Sequence, residues 1–468
     1  MNMCVEGGLT RPDSCACGSK RRMNVALISS RQDPAGKNIR NQIELLLDSG
    51  GPGDWPGADR TYEFYECDER LIYAENVDTG IEADLVIFLS RHSSLNPVPV
   101  LTVHVTGNYG NAELGGSPRT LAPAAPEMMQ ATLRSLAKHC PEGYRISYEV
   151  THHGPTNLRH PSFFVEVGST EKEWTDPVAG RAVAESVLSA VMQNPVPLIG
   201  FGGTHYAARE TEIALSSRGA FGHIAHTREI AGMGEEMIRA MAEKSGAVAA
   251  YIDRKALGRE ELLRLTAMLE ILGIPRLSES EIRSMGHLSW ETYRAIRETA
   301  ATLSPGARCY IHDLPEAPGC DLTPGNGIRT LEINPELIAE TVKADEPGFI
   351  QKLDALPVVH VTTRDNRLLP VFLGYGKARS QLIHDLNTLC VKIIRNKEIT
   401  ATESDHLIIK RVRFDPQKAR ELGIPSGPFY KQLSSGRAVE IGGRVITPDM
   451  VASGSEVKIH IPGLKKFP

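Results

Sequence analysis

The sequence lacks a long apolar run: no uninterrupted apolar stretch approaches the roughly 18 residues that a membrane helix needs. It also lacks an excess of positive charge, because 57 acidic residues outnumber 52 basic ones and give a net charge of −5 at pH 7. That balance argues against a protein that coats nucleic acids, although it does not exclude a local basic patch. We therefore expect a soluble globular protein with no membrane attachment.

Cysteine spacing and missing motifs exclude further classes. The eight cysteines are spread over 468 residues without a C-x-x-C pair, which favours reduced thiols in the cytoplasm over a disulfide framework. No apolar segment precedes Met23, so residues 1–22 are expected to be a disordered extension and not a secretory signal. The chain also has no G-x-S-x-G elbow, Walker loop, G-x-G-x-x-G fingerprint or H-E-x-x-H helix.

The chain does contain a regular alternation of short β-rich runs and longer segments that can form helices. The predicted strands lie at 23–30, 84–90, 100–106, 145–151, 162–168 and 197–201. The predicted helices lie at 124–139, 180–193, 229–244 and 260–272. This alternation predicts an α/β fold with a mainly parallel, mixed sheet.

The character of the sequence changes past about residue 276. New helical patterns follow, then the Pro- and Gly-rich stretch 315–327, and then further strands. A chain of 468 residues also exceeds the size at which one core usually keeps growing. We predict a catalytic domain at 23–280 and a smaller α+β accessory domain at 281–468, with the boundary somewhere in 276–290.

Several predicted strands end in polar clusters that contain histidine. His92, the pair His152-His153, and His205 each stand just past such a strand. Because the carboxyl ends of parallel strands lie side by side in an open α/β sheet, these histidines are predicted to converge on one crevice. His104 lies within a strand, where it either lines that crevice or is a buried histidine bonded to its neighbours.

A carboxylate is predicted to join these histidines. Glu166 lies on the strand that directly follows His152 and His153. A mixture of imidazole and carboxylate ligands suits zinc, and zinc lowers the pKa of a bound water so that it can attack an ester or amide carbonyl. We therefore predict a hydrolase in which His152, His153, Glu166 and His205 are the catalytic and metal-binding residues.

Six motifs occur in an order that resembles one known family. They are LISSRQDPAGKNI at 27–39, SRHSS at 90–94, LTVH at 101–104, THHGPT at 151–156, FVEVGST at 164–170 and GGTHY at 202–206. Between about Met23 and Pro275 the chain resembles the archaeal and plant type of D-aminoacyl-tRNA deacylase. The resemblance implies a zinc-dependent enzyme that hydrolyses the ester between a D-amino acid and the terminal ribose of tRNA, a chiral proofreading activity.

The same resemblance implies a fold and a set of partners. The expected core is a three-layer α/β/α arrangement similar to peptidyl-tRNA hydrolase and nucleoside phosphorylases. The expected partners are the aminoacylated 3′ end of tRNA and a D-amino acid, bound by a cytoplasmic monomer. The residues expected to contact the substrate are Lys37, Arg91, His104, Gly203, Tyr206 and Arg209.

Two alternatives are compatible with the same residues. One is a peptidyl-tRNA or nucleoside-type hydrolase on a related scaffold, and the other is a non-catalytic tRNA-binding module whose affinity comes from the basic stretch 391–420. The segment 422–451 resembles a short stretch near the end of ribonuclease Z. The metal-binding histidine motif of that nuclease is absent, so the likeness implies only an auxiliary tRNA-related or packing role.

Overall fold

The computed structural model describes residues 22–50, 55–56, 59–94, 97–314, 327–375 and 379–467. Apart from Arg22, the predicted N-terminal extension lies outside the described residues, as does nearly all of the Pro- and Gly-rich stretch 315–327. The chain divides into two compact units, unit 1 at Met1–Gly286 and unit 2 at His287–Pro468. This division falls within the predicted boundary region, and the roles of the two units stay predictions.

A six-stranded sheet forms the centre of unit 1, in the strand order β2-β1-β3-β6-β4-β5. Its strands are β1 Met23–Ser30, β2 Arg60–Cys67, β3 Leu85–Ser93, β4 Val100–His104, β5 Arg145–Tyr148 and β6 Ser162–Ser169. All neighbouring strands are parallel except β4 and β6, which are antiparallel. The predicted mainly parallel, mixed sheet is thus confirmed.

A second, wholly parallel sheet in unit 1 has the order β10-β9-β7-β8. Its strands are β7 Val196–Phe201, β8 Gly219–Ala225, β9 Ala249–Ile252 and β10 Arg276–Leu277. Most of its residues are fully buried, as expected for parallel strands that are covered by helices on both faces.

Nine helices of unit 1 connect these strands within the described residues. They are α1 Pro34–Ser49, α2 Pro126–His139, α3 Glu171–Trp174, α4 Pro177–Ser189, α5 Ala208–Ser216, α6 Thr227–Ile230, α7 Glu235–Ser245, α8 Arg259–Ile271 and α9 Glu279–Ser284. The predicted helix 229–244 is wrong as one element, because it is divided into α6 and α7. Two glycines, Gly232 and Gly234, interrupt it, and glycine disfavours the helix interior.

Helix α1 shows how the local sequence positions the site. The Asp33 carboxylate accepts hydrogen bonds from the backbone N–H groups of Ala35 and Gly36, and proline fills the first helical position. A Cβ on Gly36 would lie 2.4 Å from the Leu89 carbonyl oxygen, so glycine lets α1 pack directly on β3. The helix is therefore fixed both at its start and against the strand that carries His92.

Unit 2 is an α+β assembly of antiparallel sheets with the orders β11-β13-β14-β12, β15-β16-β19 and β17-β18. Its helices are α10 Trp290–Leu303, α11 Pro335–Leu353, α12 Arg379–Lys397, α13 Pro416–Glu421 and α14 Pro428–Ser434. Its strands are β11 Arg308–Ile311, β12 Ile328–Glu332, β13 Val359–Thr362, β14 Leu368–Tyr375, β15 Ile399–Glu403, β16 His406–Phe414, β17 Val439–Ile441, β18 Arg444–Ile446 and β19 Ala452–His460. None of the helices in the described ranges combines the length and hydrophobicity of a membrane span.

Candidate metal centre and active site

Three neighbouring strands of the six-stranded sheet supply the floor of the site. On β6, Glu166 lies opposite Ser90 of β3 and Thr102 of β4. Because alternate residues of a strand share a face, His92, Glu166 and His104 all project from the same face of the sheet. Because β4 runs antiparallel to β6, its carboxyl end does not lie at the edge of the sheet where β3 and β6 end. His104 therefore joins the site because it lies on the same face of the sheet as His92 and Glu166.

Two loops cover this face and complete the site. The segment that follows β5, from Glu149 to His153, is hydrogen-bonded to the loop that follows β7, because the Val150 N–H donates to the His205 carbonyl at 2.9 Å. The Thr151 N–H donates to the Ile224 carbonyl, also at 2.9 Å. These bonds bring residues from both sheets of unit 1 to one place.

Glu149 is the centre of the resulting cluster. Its Oε1 lies 2.9 Å from His92 Nδ1, and its Oε2 lies 2.9 Å from His205 Nε2 and 3.4 Å from His152 Nε2. The side chain of Glu149 has no exposed surface. A fully buried carboxylate therefore faces three imidazole nitrogens.

Glu166 makes a second, looser set of contacts. Its Oε2 lies 3.6 Å from His92 Nδ1 and its Oε1 lies 3.7 Å from His104 Nε2. The rings of His104 and His152 stack with their centroids 4.4 Å apart, and His153 packs edge-on against both. The two carboxylates and five histidines thus form one continuous cluster.

The hydrogen bonds of His152 and His153 show which nitrogen each ring presents to the cluster. His152 Nδ1 lies 2.7 Å from the Val150 carbonyl and His153 Nδ1 lies 2.6 Å from the Gly154 carbonyl. A carbonyl only accepts, so each Nδ1 carries the proton and each Nε2 keeps a free lone pair. This is the tautomer that a metal-binding histidine needs.

Burial and neighbouring charges separate the protonation states of the cluster. Burial and the nearby histidines hold the pKa of His152 well below its usual range, and burial lowers the pKa of His153 to about 3. Burial also opposes a charge on His92, but the carboxylates of Glu149 and Glu166 outweigh it and raise its pKa to about 11. Burial opposes ionisation of Glu149 as well, yet the close contacts with His205 and His92 and the charge of His92 hold its pKa well below its usual range.

The donor atoms fit a metal ion. Three overlapping groups have their donor atoms within 4.8 Å of one another: His104, His152 and His153; His92, Glu149 and His205; His104, Glu149 and Glu166. Within the described residues, His104 Nε2 and both oxygens of Glu149 are buried yet make no hydrogen bond of good geometry. Buried polar atoms that face each other in this way suit a bound cation, and nitrogen and oxygen donors of this kind suit zinc.

A pocket of about 240 Å³ opens onto this cluster. Its lining includes His92, His152, His153, Glu166 and His205. It also includes Leu114 and two residues, Leu71 and Ile72, of the 3₁₀ turn Leu71–Tyr73. This turn packs very closely on the neighbouring loop, because a Cβ on Gly115 would lie only 1.9 Å from the Ile72 carbonyl oxygen.

The structure brings together all four residues predicted to bind metal, His152, His153, Glu166 and His205, although no one of the three donor groups holds all four. Among the residues predicted to contact substrate, Arg91 lines the pocket and His104 lies in the cluster. The hydroxyl of Tyr206 lies 3.1 Å from His92 Nε2.

The other predicted substrate residues are placed differently. Lys37 lies in α1 and does not line the described pocket. The guanidinium of Arg209 is 2.8 Å from both Glu212 and Glu279, so its charge is already neutralised. Gly203 has a left-handed backbone (φ +88°), and its carbonyl accepts a hydrogen bond from the Thr227 hydroxyl.

The basic stretch 391–420 in unit 2 is also partly neutralised. Arg411 is buried between Glu340 and Glu398, Lys397 pairs with Asp345, and Lys410 pairs with Glu456. Charges that are paired in this way cannot all be available for phosphates. The structure gives little support to a tRNA-binding module that depends on this stretch.

Sequence reasoning missed Glu149, the carboxylate that faces three histidines of the cluster. A signal was present, because Glu149 is the only acidic residue between Ser147 and His153 and stands three positions before His152. His92 was noted at a strand end but was given no role. The register of β3 and β6, which sets His92 beside Glu166, is a tertiary feature that the sequence does not display.

The fold and the site together define an α/β enzyme with a buried histidine and carboxylate centre of the hydrolase type. Residues 79–277 match the family model described as D-aminoacyl-tRNA deacylase. A protein of Methanoregula boonei named D-aminoacyl-tRNA deacylase is 61% identical over 95% of this chain and 100% of its own length. A protein of the same name from Methanoculleus marisnigri is 51% identical over the same shares.

Shorter relatives match as well. A D-aminoacyl-tRNA deacylase of Methanosarcina mazei is 37% identical, in an alignment that covers 55% of this chain and 93% of the relative. A crystal structure titled as a conserved protein of unknown function, AF0625, is 32% identical with a TM-score of 0.51, covering 56% of this chain and 97% of that one. The chain belongs to the D-aminoacyl-tRNA deacylase family.

Proposed function

We propose that the protein hydrolyses the ester bond that joins a D-amino acid to the 3′-terminal ribose of tRNA, and that zinc bound by the histidine and carboxylate cluster assists this reaction. The observation that carries the proposal is the cluster itself, which opens onto a pocket in a chain 61% identical to a deacylase over 95% of its length. The products are free tRNA and a D-amino acid. We further propose that the protein acts as a cytoplasmic monomer.

The zinc ligands are drawn from six members of the three overlapping donor groups, which are His152, His153, Glu166 and His205 with His104 and Glu149. His92, the seventh member, keeps its proton and is therefore not a ligand. When bound, zinc polarises an ester carbonyl and makes water a better nucleophile near neutral pH. The free Nε2 atoms of His152 and His153 suit direct coordination because their Nδ1 protons are held by backbone carbonyls.

The protein's own residues also handle protons. Glu149 has a strongly lowered pKa and therefore presents an ionised carboxylate that can accept the proton of the attacking water. His92 is protonated, and its Nε2 lies 3.1 Å from the Tyr206 hydroxyl. This pair can donate a proton to the departing ribose oxygen, so the acid and the base lie side by side in one pocket.

Unit 1 contains every residue of this proposal. The Methanosarcina mazei relative aligns over 93% of its length with only 55% of this chain. A protein much shorter than this one therefore carries the same family name. We propose that unit 2 has an accessory role and that residues 23–280 are sufficient for catalysis.

The test is hydrolysis of matched substrates by the purified full-length protein. D-tyrosyl-tRNA is expected to lose its ester rapidly, L-tyrosyl-tRNA slowly, and a chelator is expected to abolish the difference. N-acetylated aminoacyl-tRNA separates this function from peptidyl-tRNA hydrolysis. An unchanged half-life of the D-ester would contradict the proposal, and anomalous diffraction at the zinc edge would show which side chains bind the ion.

A further inference from the structure

The lining of the pocket includes two arginines that the proposed chemistry does not use. Arg70 and Arg91 both line the pocket. The guanidinium of Arg70 lies 5.7 Å above the centre of the Tyr73 ring, and that of Arg91 lies 5.1 Å above the Trp174 ring. An aromatic face attracts a guanidinium without using its N–H groups, so both cations are positioned with their donors free.

Neither of these guanidinium groups is held in an ion pair. In the part of the chain that the structure describes, neither Arg70 nor Arg91 forms an ion pair with a carboxylate. Nearby Arg31 differs, because Glu66 and Asp68 each lie 2.7 Å from its guanidinium. The lining of the pocket therefore carries two guanidinium groups that can bind an anion.

Asp33, which also lines the pocket, lies near Arg91 but forms no ion pair with its guanidinium in the described part of the chain. Asp33 uses one carboxylate oxygen to accept the backbone N–H groups at the start of α1. The other oxygen accepts the Arg91 backbone N–H at 3.0 Å and faces the Ser90 hydroxyl at 3.3 Å. Asp33 is thus bound to the main chain. Burial raises its pKa and the charge of Arg91 lowers it in part, but the Arg91 guanidinium makes no hydrogen bond with it and can still donate to a ligand.

The size of the pocket indicates what that ligand is. A volume of about 240 Å³ lies below the range of roughly 300–1,000 Å³ that encloses most ligands, so the pocket holds a small group such as an aminoacyl ribose. The rest of a polynucleotide must then continue past the rim. Tyr73, which is 45% exposed beside Arg70, offers an aromatic ring on which a base can stack.

We propose that Arg70 and Arg91 bind the phosphodiester backbone of the last nucleotides of a single-stranded 3′ end, and so direct the terminal ester into the pocket. The inference rests on the proposed function, because the tRNA end is the strand that carries the ester. Arginine suits this role because its planar fork of N–H groups matches phosphate oxygens.

The experiment compares a D-aminoacyl-tRNA with the same D-amino acid esterified to adenosine alone, which has no phosphodiester. For Arg70→Gln and Arg91→Gln, kcat/KM on the tRNA substrate is expected to fall about tenfold each, mainly through KM, as for the loss of one charged hydrogen bond. The adenosine ester is expected to be cleaved at the wild-type rate. Arg31→Gln, which removes a neutralised arginine, is the matched control and is expected to change neither.

A binding measurement separates this proposal from the function on which it rests. Anisotropy of a labelled single-stranded oligoribonucleotide with a free 3′ end is expected to show weaker binding by both variants and a salt dependence reduced by about 0.7 per arginine. Equal losses on both esters, or unchanged oligonucleotide affinity, would overturn the role of the two arginines. Failure of the wild type to cleave either ester would instead overturn the proposed function.

Discussion

Replacing Glu149 by glutamine tests the centre of the cluster most directly. The amide has nearly the same shape as the carboxylate but no charge, so it removes the partner that lies 2.9 Å from both His92 and His205. Two unit charges about 4 Å apart interact by about 4 kcal/mol at an effective dielectric constant of about 20. Breaking one buried pair in proteins costs about 3–5 kcal/mol, which agrees with this estimate.

Two measurable losses follow from that magnitude. A loss of about 1 kcal/mol lowers Tm by about 3 °C in a unit of this size, so the metal-free Glu149→Gln variant is expected to melt about 10 °C lower. Zinc content is expected to fall, because a carboxylate shared by two of the three donor groups is lost. The rate of D-aminoacyl-tRNA hydrolysis is expected to fall at least about a hundredfold, as for the loss of a positioned base.

Glu185→Gln is the control for this variant. Glu185 pairs with Arg181 at the surface of α4, and an exposed pair of this spacing contributes only about 0.3–0.5 kcal/mol. The control is expected to keep wild-type activity, zinc content and Tm within about 2 °C. If Glu149→Gln behaved like this control in all three assays, the reasoning that places Glu149 at the centre of the site would be refuted.

Three further predictions concern the surroundings of the site. Gly115→Ala is expected to displace Ile72 from the pocket lining and to raise KM, measured by steady-state kinetics. Gly80→Ala is the control, because Gly80 has the same left-handed backbone but no atom within 4 Å of an added Cβ. The control is expected to lose only about 1 kcal/mol of stability in urea unfolding and to leave KM unchanged. Burial raises the pKa of Glu210 from 4.5 to about 8, so the folded state retains a proton there that the unfolded state releases, and stability falls as pH rises between these values. Glu210→Gln is expected to remove that fall in urea titrations at pH 5 and pH 8, and an unchanged pH dependence would contradict it. Asp33→Ala is expected to lower the free energy of unfolding by about 1–2 kcal/mol through loss of the α1 cap, measured by urea titration, and an unchanged value would show that the cap is not stabilising.

Much of the fold follows from local sequence. The short β-rich runs of β1, β3 and β6 and the capped start of α1 are each specified by a few adjacent residues. The direction of β4 does not follow, because the antiparallel pairing of Thr102 with Glu166 depends on residues 64 positions apart. The interruption between α6 and α7 was visible as two glycines but was outweighed by the helical pattern around it.

The sequence by itself determined which chemical groups the site contains: imidazoles and a carboxylate that follow strand-like runs, in an order typical of one hydrolase family. Only the tertiary structure decided how they combine, because strand register and loop contacts set Glu149 between His92 and His205. It also decided which charges are available, since Arg209 pairs with Glu279 from a distant segment, whereas Arg91 forms no ion pair with any residue that the structure describes. Residue chemistry and periodicity are local properties, whereas the pairing of charges depends on the packing of the whole unit.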